Sequence, residues 1–307
     1  MLTQIKAILK LARIHFLLGS GIFYLVGALM ARYESGRMDW RALSSGMATM
    51  WLLQLSAHFL NEYYDRDGDQ ANRHRTLFSG GSGVFAEGRL APKVALWAAA
   101  GALILAVVLL VFLTRALPTF GVTTAGLFAL AAIGAVGYSA PPLAFVERGL
   151  GEMDVTLIVG LLVPIFGYSA QTGRASLTFA LACLPVAALI LASVISVAFP
   201  DFEADRTTSK RTLVVILGPE RAARLYAGLL AIGYVASWLK LTLGVPFVVL
   251  IAEAATLPVA MLSLIEIRRG GYKLPLRYAL NTFLGLGVVG AIGLAEITGL
   301  FLAGIGD

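Results

Sequence analysis

The chain has 307 residues, of which 58% are hydrophobic and 14% charged, and its mean hydropathy is +0.83. Soluble domains carry about 25% charged residues, so this composition excludes an ordinary soluble protein and predicts a polytopic membrane protein. The length suits one helical membrane domain, residues 1–307, without a sizeable soluble part. A single cysteine, Cys183, and three scattered histidines argue against a disulfide framework and a zinc site.

Taken in order, the apolar segments predict an all-α fold. Residues 1–14 predict an amphipathic helix at the membrane interface, because Lys6, Lys10 and Arg13 follow a helical period with apolar residues between them. Nine transmembrane helices are expected after it, each of roughly 20 residues. Their predicted bounds are 15–31, 44–64, 94–113, 119–138, 153–170, 177–199, 222–242, 246–266 and 279–302.

The positions of the basic residues predict the orientation of the bundle. Most of the 24 Lys and Arg residues lie at the N-terminus or in loops that follow even-numbered spans. The positive-inside rule then places the N-terminus in the cytoplasm and the C-terminus on the opposite side. The net charge of +6 is explained by these loops, so the lipid bilayer is the expected partner and nucleic acid is not.

Two acidic motifs stand out against this apolar background. Asn61, Asp65 and Asp69 follow one apolar run at intervals of four, and Asp201 and Asp205 follow another with the same interval. Side chains four apart lie on one face of a helix. Both motifs fall on the predicted cytoplasmic face, and the shared spacing hints at two related halves with a site between them.

The chemistry of these motifs suits a metal-bound diphosphate. Mg²⁺ prefers oxygen ligands and is typically held by one or two carboxylates together with substrate phosphates. Basic residues just downstream of each motif would neutralise the remaining phosphate charge; these are Arg73, Arg75, Lys210 and Arg211. A diphosphate head at the mouth of a lipid-facing bundle, with a long apolar tail, describes a polyprenyl diphosphate.

Plainer interpretations exist for individual residues. A lone D-x-x-x-D motif beside a membrane helix is usually a solvated loop, and Asp67 falls outside the interval and is expected to face solvent. The glycines of residues 79–83 could cradle phosphate or form a flexible loop. His58 could touch an acceptor or be a packed helix residue. Glu296 lies near the outer end of its span, where snorkelling explains it, whereas Glu253 has no evident role.

The dual motif resembles that of the UbiA-type intramembrane aromatic prenyltransferases. The similarity runs over most of the chain. Four sequence segments are most similar to the branch that prenylates 1,4-dihydroxy-2-naphthoate in menaquinone biosynthesis. They are N-E-Y-Y-D, F-S-G-G-S-G-V, Y-S-A-P-P and D-F-E-A-D. One departure is that Val146 and Glu147 stand where this family commonly has a basic residue, which leaves only Arg148 in that loop.

The resemblance implies a bundle around a cavity open to lipid, with Mg²⁺ as cofactor and a polyprenyl diphosphate and a small aromatic acceptor as substrates. Asp65, Asp69, Asp201 and Asp205 would bind Mg²⁺ and act in catalysis, with Asn61 as an auxiliary ligand. Arg75, Lys210 and Arg211 would hold the diphosphate. Tyr138, Arg148 and His58 are candidates for the acceptor side. A membrane of a bacterium or archaeon is the expected location.

Other functions remain open at this point. Another aromatic acceptor, of the 4-hydroxybenzoate or homogentisate type, would need the same motifs. A cation-coupled transporter would place acidic residues near the bilayer midplane. A lipid head-group phosphotransferase would need one contiguous motif and not Asp201 and Asp205. A non-catalytic isoprenoid-binding protein is the fourth alternative.

Overall fold

A computed structural model describes residues 2–72 and 74–304, and within these ranges the chain is helical without β-strands. The helices of the first half are α1 Leu2–Leu11, α2 His15–Ser35, α3 Trp40–Tyr64, α4 Arg66–Ala71, α5 Lys93–Ala116, α6 Val122–Gly137, α7 Gly151–Leu157 and α8 Val163–Thr172. Those of the second half are α9 Leu177–Ala198, α10 Phe202–Asp205, α11 Leu213–Leu217, α12 Pro219–Ser237, α13 Phe247–Ala254, α14 Leu257–Arg268 and α15 Tyr278–Ala303. The predicted all-α fold class is confirmed.

The described residues contain nine apolar helical segments that follow the nine predicted spans in order. One segment joins α7 and α8 through a π-helix, Ile158–Leu162, and another extends α12 through a 3₁₀ helix, Trp238–Leu243. A third consists of α13 and α14 together. Seven of the nine are long and apolar enough to cross a membrane. The other two are α6, which has 16 residues, and α3, which is long but carries more polar side chains. Nine spans therefore remain a prediction.

Polar residues at the helix ends fix where several helices begin and stop. The Asp39 carboxylate accepts hydrogen bonds from the backbone N–H groups of Arg41 and Ala42 and so caps α3. The Ser176 hydroxyl caps α9 in the same way by accepting from Phe179 N–H. Gly36 and Gly173 end α2 and α8 in the left-handed conformation that glycine adopts without strain.

The helices pack in two groups that meet along α2, α9 and α15. In the first group α2 lies against α8 and α3 lies against α5, and in the second α9 lies against α12 and α13 against α15. α15 also contacts α2 and α9, which joins the groups. Outward-facing side chains such as Trp97, Val122 and Val235 remain largely exposed, as expected for surfaces that contact lipid.

The amphipathic helix predicted at residues 1–14 corresponds to α1, which ends at Leu11. Met1 lies outside the described residues. Its apolar side packs Ala7 and Leu11 against Phe59 of α3 and Ala99 of α5. Lys6 and Lys10 remain exposed. α1 is thus attached to the bundle at the same face as the loop that follows α3.

The orientation can be tested with a matched pair of cysteine substitutions. In a Cys183→Ala background, Ala86→Cys and Ala175→Cys each place one thiol on an exposed loop, at opposite ends of the bundle. We expect a membrane-impermeant maleimide to label Ala175→Cys in intact cells and Ala86→Cys only after permeabilisation, because the basic loops face the cytoplasm. Labelling in the reverse pattern would overturn the predicted orientation.

Candidate functional site

Both acidic motifs sit where a long helix gives way to a short one. Asp65 ends α3, and α4 continues beyond it, with Asp65 N–H bonded to Asn61 O at 2.8 Å and Asp69 N–H to Asp65 O at 2.9 Å. After α9, the N–H of Asp205 likewise bonds to Asp201 O at 2.8 Å. Each motif therefore keeps its members one helical turn apart, as the spacing predicts.

Residues far apart in the sequence bring the two motifs together. The Lys210 Nζ lies 2.8 Å from Asp65 Oδ2 and 3.7 Å from Asp205 Oδ1. The side-chain amide of Asn72 donates to Asp201 Oδ1 at 2.7 Å. We call Asp65, Asp69, Asp201 and Asp205 the acid cluster, and Lys210 is the ammonium that links its two halves.

Burial sets the protonation behaviour of the acid cluster. Loss of solvent raises the pKa of Asp69 and of Asp205 to about 7, although the Lys210 ammonium opposes the rise. Burial raises the pKa of Asp201 as well. For Lys210, burial lowers the pKa, but the summed attraction of Asp65, Asp205 and Asp69 outweighs it and holds the pKa well above its usual value. Near neutral pH Asp69 and Asp205 are therefore partly protonated, and positive charge placed beside them would favour their ionised forms.

The charge of the acid cluster bears on metal binding. With all four carboxylates ionised, the acid cluster and Lys210 would carry a formal charge of minus three, and carboxylate oxygens are the hard ligands that Mg²⁺ takes. Over the described residues, no three His, Cys, Asp or Glu side chains are already arranged as ligands around one point. The carboxylates of the acid cluster therefore fit Mg²⁺ by charge and by ligand type. In this structure Asp65 and Asp205 both contact the Lys210 ammonium.

We call the loop between α4 and α5, which contains Gly80, Gly81 and Gly83, the glycine loop, and it covers the acid cluster. Gly80 N–H donates to Asp201 Oδ2 at 3.2 Å, and Arg75 holds the loop by donating to Gly80 O at 2.6 Å and to Asp69 O at 2.8 Å. Gly80 and Gly81 have φ of 76° and 66°, and a Cβ on Gly81 would come within 2.0 Å of Asp69 Oδ2. The glycines are therefore needed for both the turn and the close approach.

Glu62, near the end of α3, anchors the same loop. It is the main residue that the sequence did not predict. Its carboxylate is 2% exposed and accepts from Ser82 N–H at 2.7 Å and from Ser82 Oγ at 2.5 Å. Arg13 Nη1 lies 3.9 Å from Glu62 and its Nη2 donates to Phe78 O at 3.2 Å. No spacing rule connects residues 62 and 82, so only the fold reveals the pair.

The other predicted site residues fall into two sets. Asn61 joins the acid cluster, since its amide donates to Asp65 Oδ2 and to Ser139 Oγ. Tyr138, beside Ser139, lies within electrostatic reach of Asp65 and Lys210. Asn61 and Ser139 thus connect the first acidic motif to the residues that follow α6.

The second set does not contact the acid cluster. Arg148 is exposed and donates to Pro142 O, and the Arg211 side chain is exposed while its backbone N–H bonds to Val146 O. His58 is half-buried, with Nδ1 2.8 Å from Ala12 O. Arg73 lies outside the described residues. Asp67 faces solvent as predicted, with its side chain 81% exposed.

The anchoring role of Glu62 gives a stability prediction. Glu62→Ala leaves the buried Ser82 N–H without its acceptor, which we expect to cost about 1–3 kcal/mol and to loosen the glycine loop. Thermal unfolding in detergent, with limited proteolysis of the loop, measures both effects. Glu87→Ala on the exposed part of the same loop should change little, within about 0.5 kcal/mol. Equal melting temperatures for the two variants would contradict the anchoring role.

Comparison with known proteins places the chain among membrane prenyltransferases. A curated relative from Bacillus subtilis (strain 168), a 1,4-dihydroxy-2-naphthoate octaprenyltransferase, is 26% identical over 234 residues, covering 74% of this chain and 70% of the relative. The apo structure of a UbiA homolog from Aeropyrum pernix K1 has a TM-score of 0.68 at 20% identity, covering 93% of this chain and 98% of the other. A UbiA homolog from Archaeoglobus fulgidus bound to GPP and Mg²⁺ has a TM-score of 0.60 at 18% identity, covering 97% and 99%.

The structural neighbours share the fold of this chain, and the family follows from the sequence. The model of the UbiA prenyltransferase family matches residues 20–274, a stretch that contains both acidic motifs and the loop between α4 and α5. The resemblance noted from the motifs is thereby confirmed. The chain belongs to the UbiA prenyltransferase family.

Proposed function

We propose that the protein transfers a polyprenyl group from polyprenyl diphosphate to 1,4-dihydroxy-2-naphthoate, in a Mg²⁺-dependent reaction that releases diphosphate. The observation that carries the proposal is the convergence of the two acidic motifs around Lys210 at one end of an apolar bundle. The naphthoate prenyltransferase of Bacillus subtilis, as a relative, supports the choice of acceptor.

The charge balance of the acid cluster explains how a diphosphate would bind. Asp65, Asp69, Asp201 and Asp205 would hold Mg²⁺, with Asn61 beside them. When bound, Mg²⁺ supplies the positive charge that offsets the carboxylates and stabilises the departing diphosphate. Lys210 would exchange carboxylate oxygens for phosphate oxygens, since an ammonium donates to either.

The contacts of Arg75 support a role in holding the loop. Its Nε and Nη2 are already bonded to backbone carbonyls of Gly80 and Asp69. We therefore assign Arg75 to holding the loop that would cover the diphosphate. Gly80 of this loop donates its N–H to Asp201 of the acid cluster. Arg211 and Arg148, which are exposed, would meet a diphosphate only if their side chains turned inward.

The transfer itself needs a leaving group, an electron-rich ring and the absence of water. The allylic C–O bond breaks and the diphosphate leaves with the electron pair. The ring carbon that bears the carboxylate then forms the new C–C bond, and CO₂ departs from that carbon. Tyr138, next to the acid cluster, can stabilise the allylic cation with its ring face. Apolar walls exclude the water that would quench the cation.

We propose the cell membrane of a bacterium or archaeon as the location, with residues 1–307 forming one membrane domain and the acid cluster facing the cytoplasm. The described acidic motifs lie at helix ends, not midway along the spans, which disfavours a cation-coupled transporter. Asp201 and Asp205 contribute a second motif that a one-motif head-group phosphotransferase would not use.

Loss of either motif should abolish turnover. Asp65→Asn and Asp201→Asn each remove one negative charge where divalent cations would be held, and we expect the prenyl transfer rate to fall about 100-fold or more. Asp67→Asn is the matched control, because its side chain is exposed and should leave the rate unchanged. All three variants should remain inserted in the membrane. Retention of more than about a tenth of the activity in both cluster variants would contradict metal-assisted ionisation.

The acceptor can be identified with purified protein. Incubation with prenyl diphosphates of several lengths and with 1,4-dihydroxy-2-naphthoate, 4-hydroxybenzoate and homogentisate, followed by mass spectrometry, should give a decarboxylated prenyl naphthalenediol and free diphosphate. Addition of EDTA should stop the reaction, and Mg²⁺ should restore it. Product from another acid alone would assign the protein to another acceptor, and binding without product would favour a non-catalytic isoprenoid-binding protein.

A further inference from the structure

Several buried glutamates of this chain lie outside the acid cluster, and their partners divide them into two kinds. Lys240 Nζ donates to Glu253 Oε1 at 2.5 Å and to Glu296 Oε1 at 2.6 Å, so these three residues form a second charged cluster. Glu296 is 7% exposed, so the predicted snorkelling is wrong, and its pairing with Lys240 explains its position instead. Glu62 and Glu152, by contrast, accept from backbone N–H groups of loops.

Glu152 lies at the start of α7 and holds the loop that carries Lys210. It is 4% exposed, and its Oε1 accepts a hydrogen bond from Leu213 N–H at 2.6 Å. Because α7 packs against α9 and continues through the π-helix into α8, Glu152 projects from a fixed part of the bundle. Leu213 is the first residue of α11 and follows residues 206–212, which have no regular secondary structure and which we call the Lys210 loop.

Two further contacts tie the Lys210 loop to the segment that precedes α7. Arg211 N–H donates to Val146 O at 2.9 Å, and Ser209 Oγ donates to Glu147 Oε1 at 2.6 Å. Val146 and Glu147 stand where a basic residue was expected from the sequence, and both contact the Lys210 loop instead. Lys210 is thus flanked on both sides by residues that the same segment holds.

The contact made by Glu152 is the strongest of the three on physical grounds. The bond between Ser209 and Glu147 is exposed, and exposed polar pairs contribute little. A buried carboxylate that accepts from a backbone N–H forms a charge-assisted hydrogen bond, which is stronger than a neutral one. Loss of this acceptor would also leave the Leu213 N–H without a partner in a largely enclosed place.

This hold on the loop becomes important when Lys210 gives up its present partners. In this structure its ammonium contacts Asp65 and Asp205, and these ion pairs keep the side chain in place. If both carboxylates hold divalent cations, as the proposed function requires, Lys210 loses them and its position depends on the backbone of its loop. A lysine side chain is flexible, so a loosened loop would let the ammonium move away from the acid cluster.

We propose that Glu152 is a positioning residue for Lys210: its bond to Leu213 N–H fixes the Lys210 loop, so that the ammonium stays between the two acidic motifs when a diphosphate binds. The role of Lys210 in this inference rests on the proposed function, whereas the hold on the loop does not. Glu152 has the same relation to the Lys210 loop as Glu62 has to the glycine loop.

The hydrogen bond can be removed from either side. Glu152→Met keeps the length of the side chain and loses the acceptor, whereas Glu152→Gln keeps an acceptor oxygen. Leu213→Pro removes the donor. Proline suits this position, because Leu213 is the first helical residue and Thr212 before it has φ −62° and ψ 157°. Leu213→Ala is the matched control, since it shortens the side chain but keeps the N–H.

Hydrogen–deuterium exchange in detergent, without substrate or metal, tests the hold on the loop and needs no turnover. We expect the Arg211 amide to exchange at least about tenfold faster in Glu152→Met and Leu213→Pro than in the wild-type protein. Glu152→Gln and Leu213→Ala should exchange at the wild-type rate. The Ser82 amide of the glycine loop should be unchanged in every variant, which excludes general unfolding. Equal exchange of Arg211 in every variant overturns the proposal.

The rate of prenyl transfer tests the positioning of Lys210. We expect Glu152→Met and Leu213→Pro each to lower kcat/KM for the prenyl diphosphate about tenfold or more, and the KM of the acceptor to stay within about twofold. Glu152→Gln should restore most of the rate, and an equal loss in this variant would contradict the role of the acceptor oxygen.

A double-mutant cycle separates positioning from a merely structural role. In a Lys210→Met background the ammonium is already absent, so neither Glu152→Met nor Leu213→Pro should lower kcat/KM further. Additive losses, with an active wild-type protein, overturn the assignment of Glu152 and leave the proposed function intact. Absence of prenyl transfer in the wild-type protein refutes the proposed function instead, and the exchange of Arg211 then still decides whether Glu152 holds the loop.

Discussion

Four carboxylates and one ammonium lie together at the end of a bundle whose helices are otherwise apolar. The surrounding loops supply hydrogen-bond donors to these carboxylates. Lys210 contacts Asp65 and Asp205, while Asp201 is satisfied by the amide of Asn72 and the N–H of Gly80. Each of these donors comes from a loop, not from a transmembrane helix. The loops between spans are therefore ordered around the acid cluster, because buried carboxylates need donors close by.

The glycine loop shows how that order is obtained from local chemistry. Gly80 and Gly81 take up positive φ, which lets the backbone lie against Asp69 and Asp201 without a side chain in the way. Glu62 fixes the loop from the end of α3, one residue after Asn61. The helix that carries the first acidic motif thus also carries the anchor of the loop that covers it.

The sequence predicted the features that depend on local periodicity and missed those that depend on distant partners. Apolar segments predict where the long helices lie, and an interval of four places Asp65 and Asp69 on one face. The cap was missed: Asp39 starts α3 at Trp40 and not at the predicted residue 44. That two separate motifs meet could be inferred only from their shared spacing and the family resemblance. The partner of Glu62 and the ion pair of Lys240 with Glu296 are set by tertiary packing, for which a single sequence holds no periodic signal.

The two charged clusters differ in a way that follows from where they lie. When fully ionised, the acid cluster has three more negative charges than Lys210 balances, and it lies at the loop end of the bundle, where divalent cations would balance them. Lys240, Glu253 and Glu296 lie among transmembrane helices, where a free ion is far costlier, and there the protein supplies its own ammonium and leaves an excess of only one. One proton held between the two carboxylates is enough to remove an excess that small.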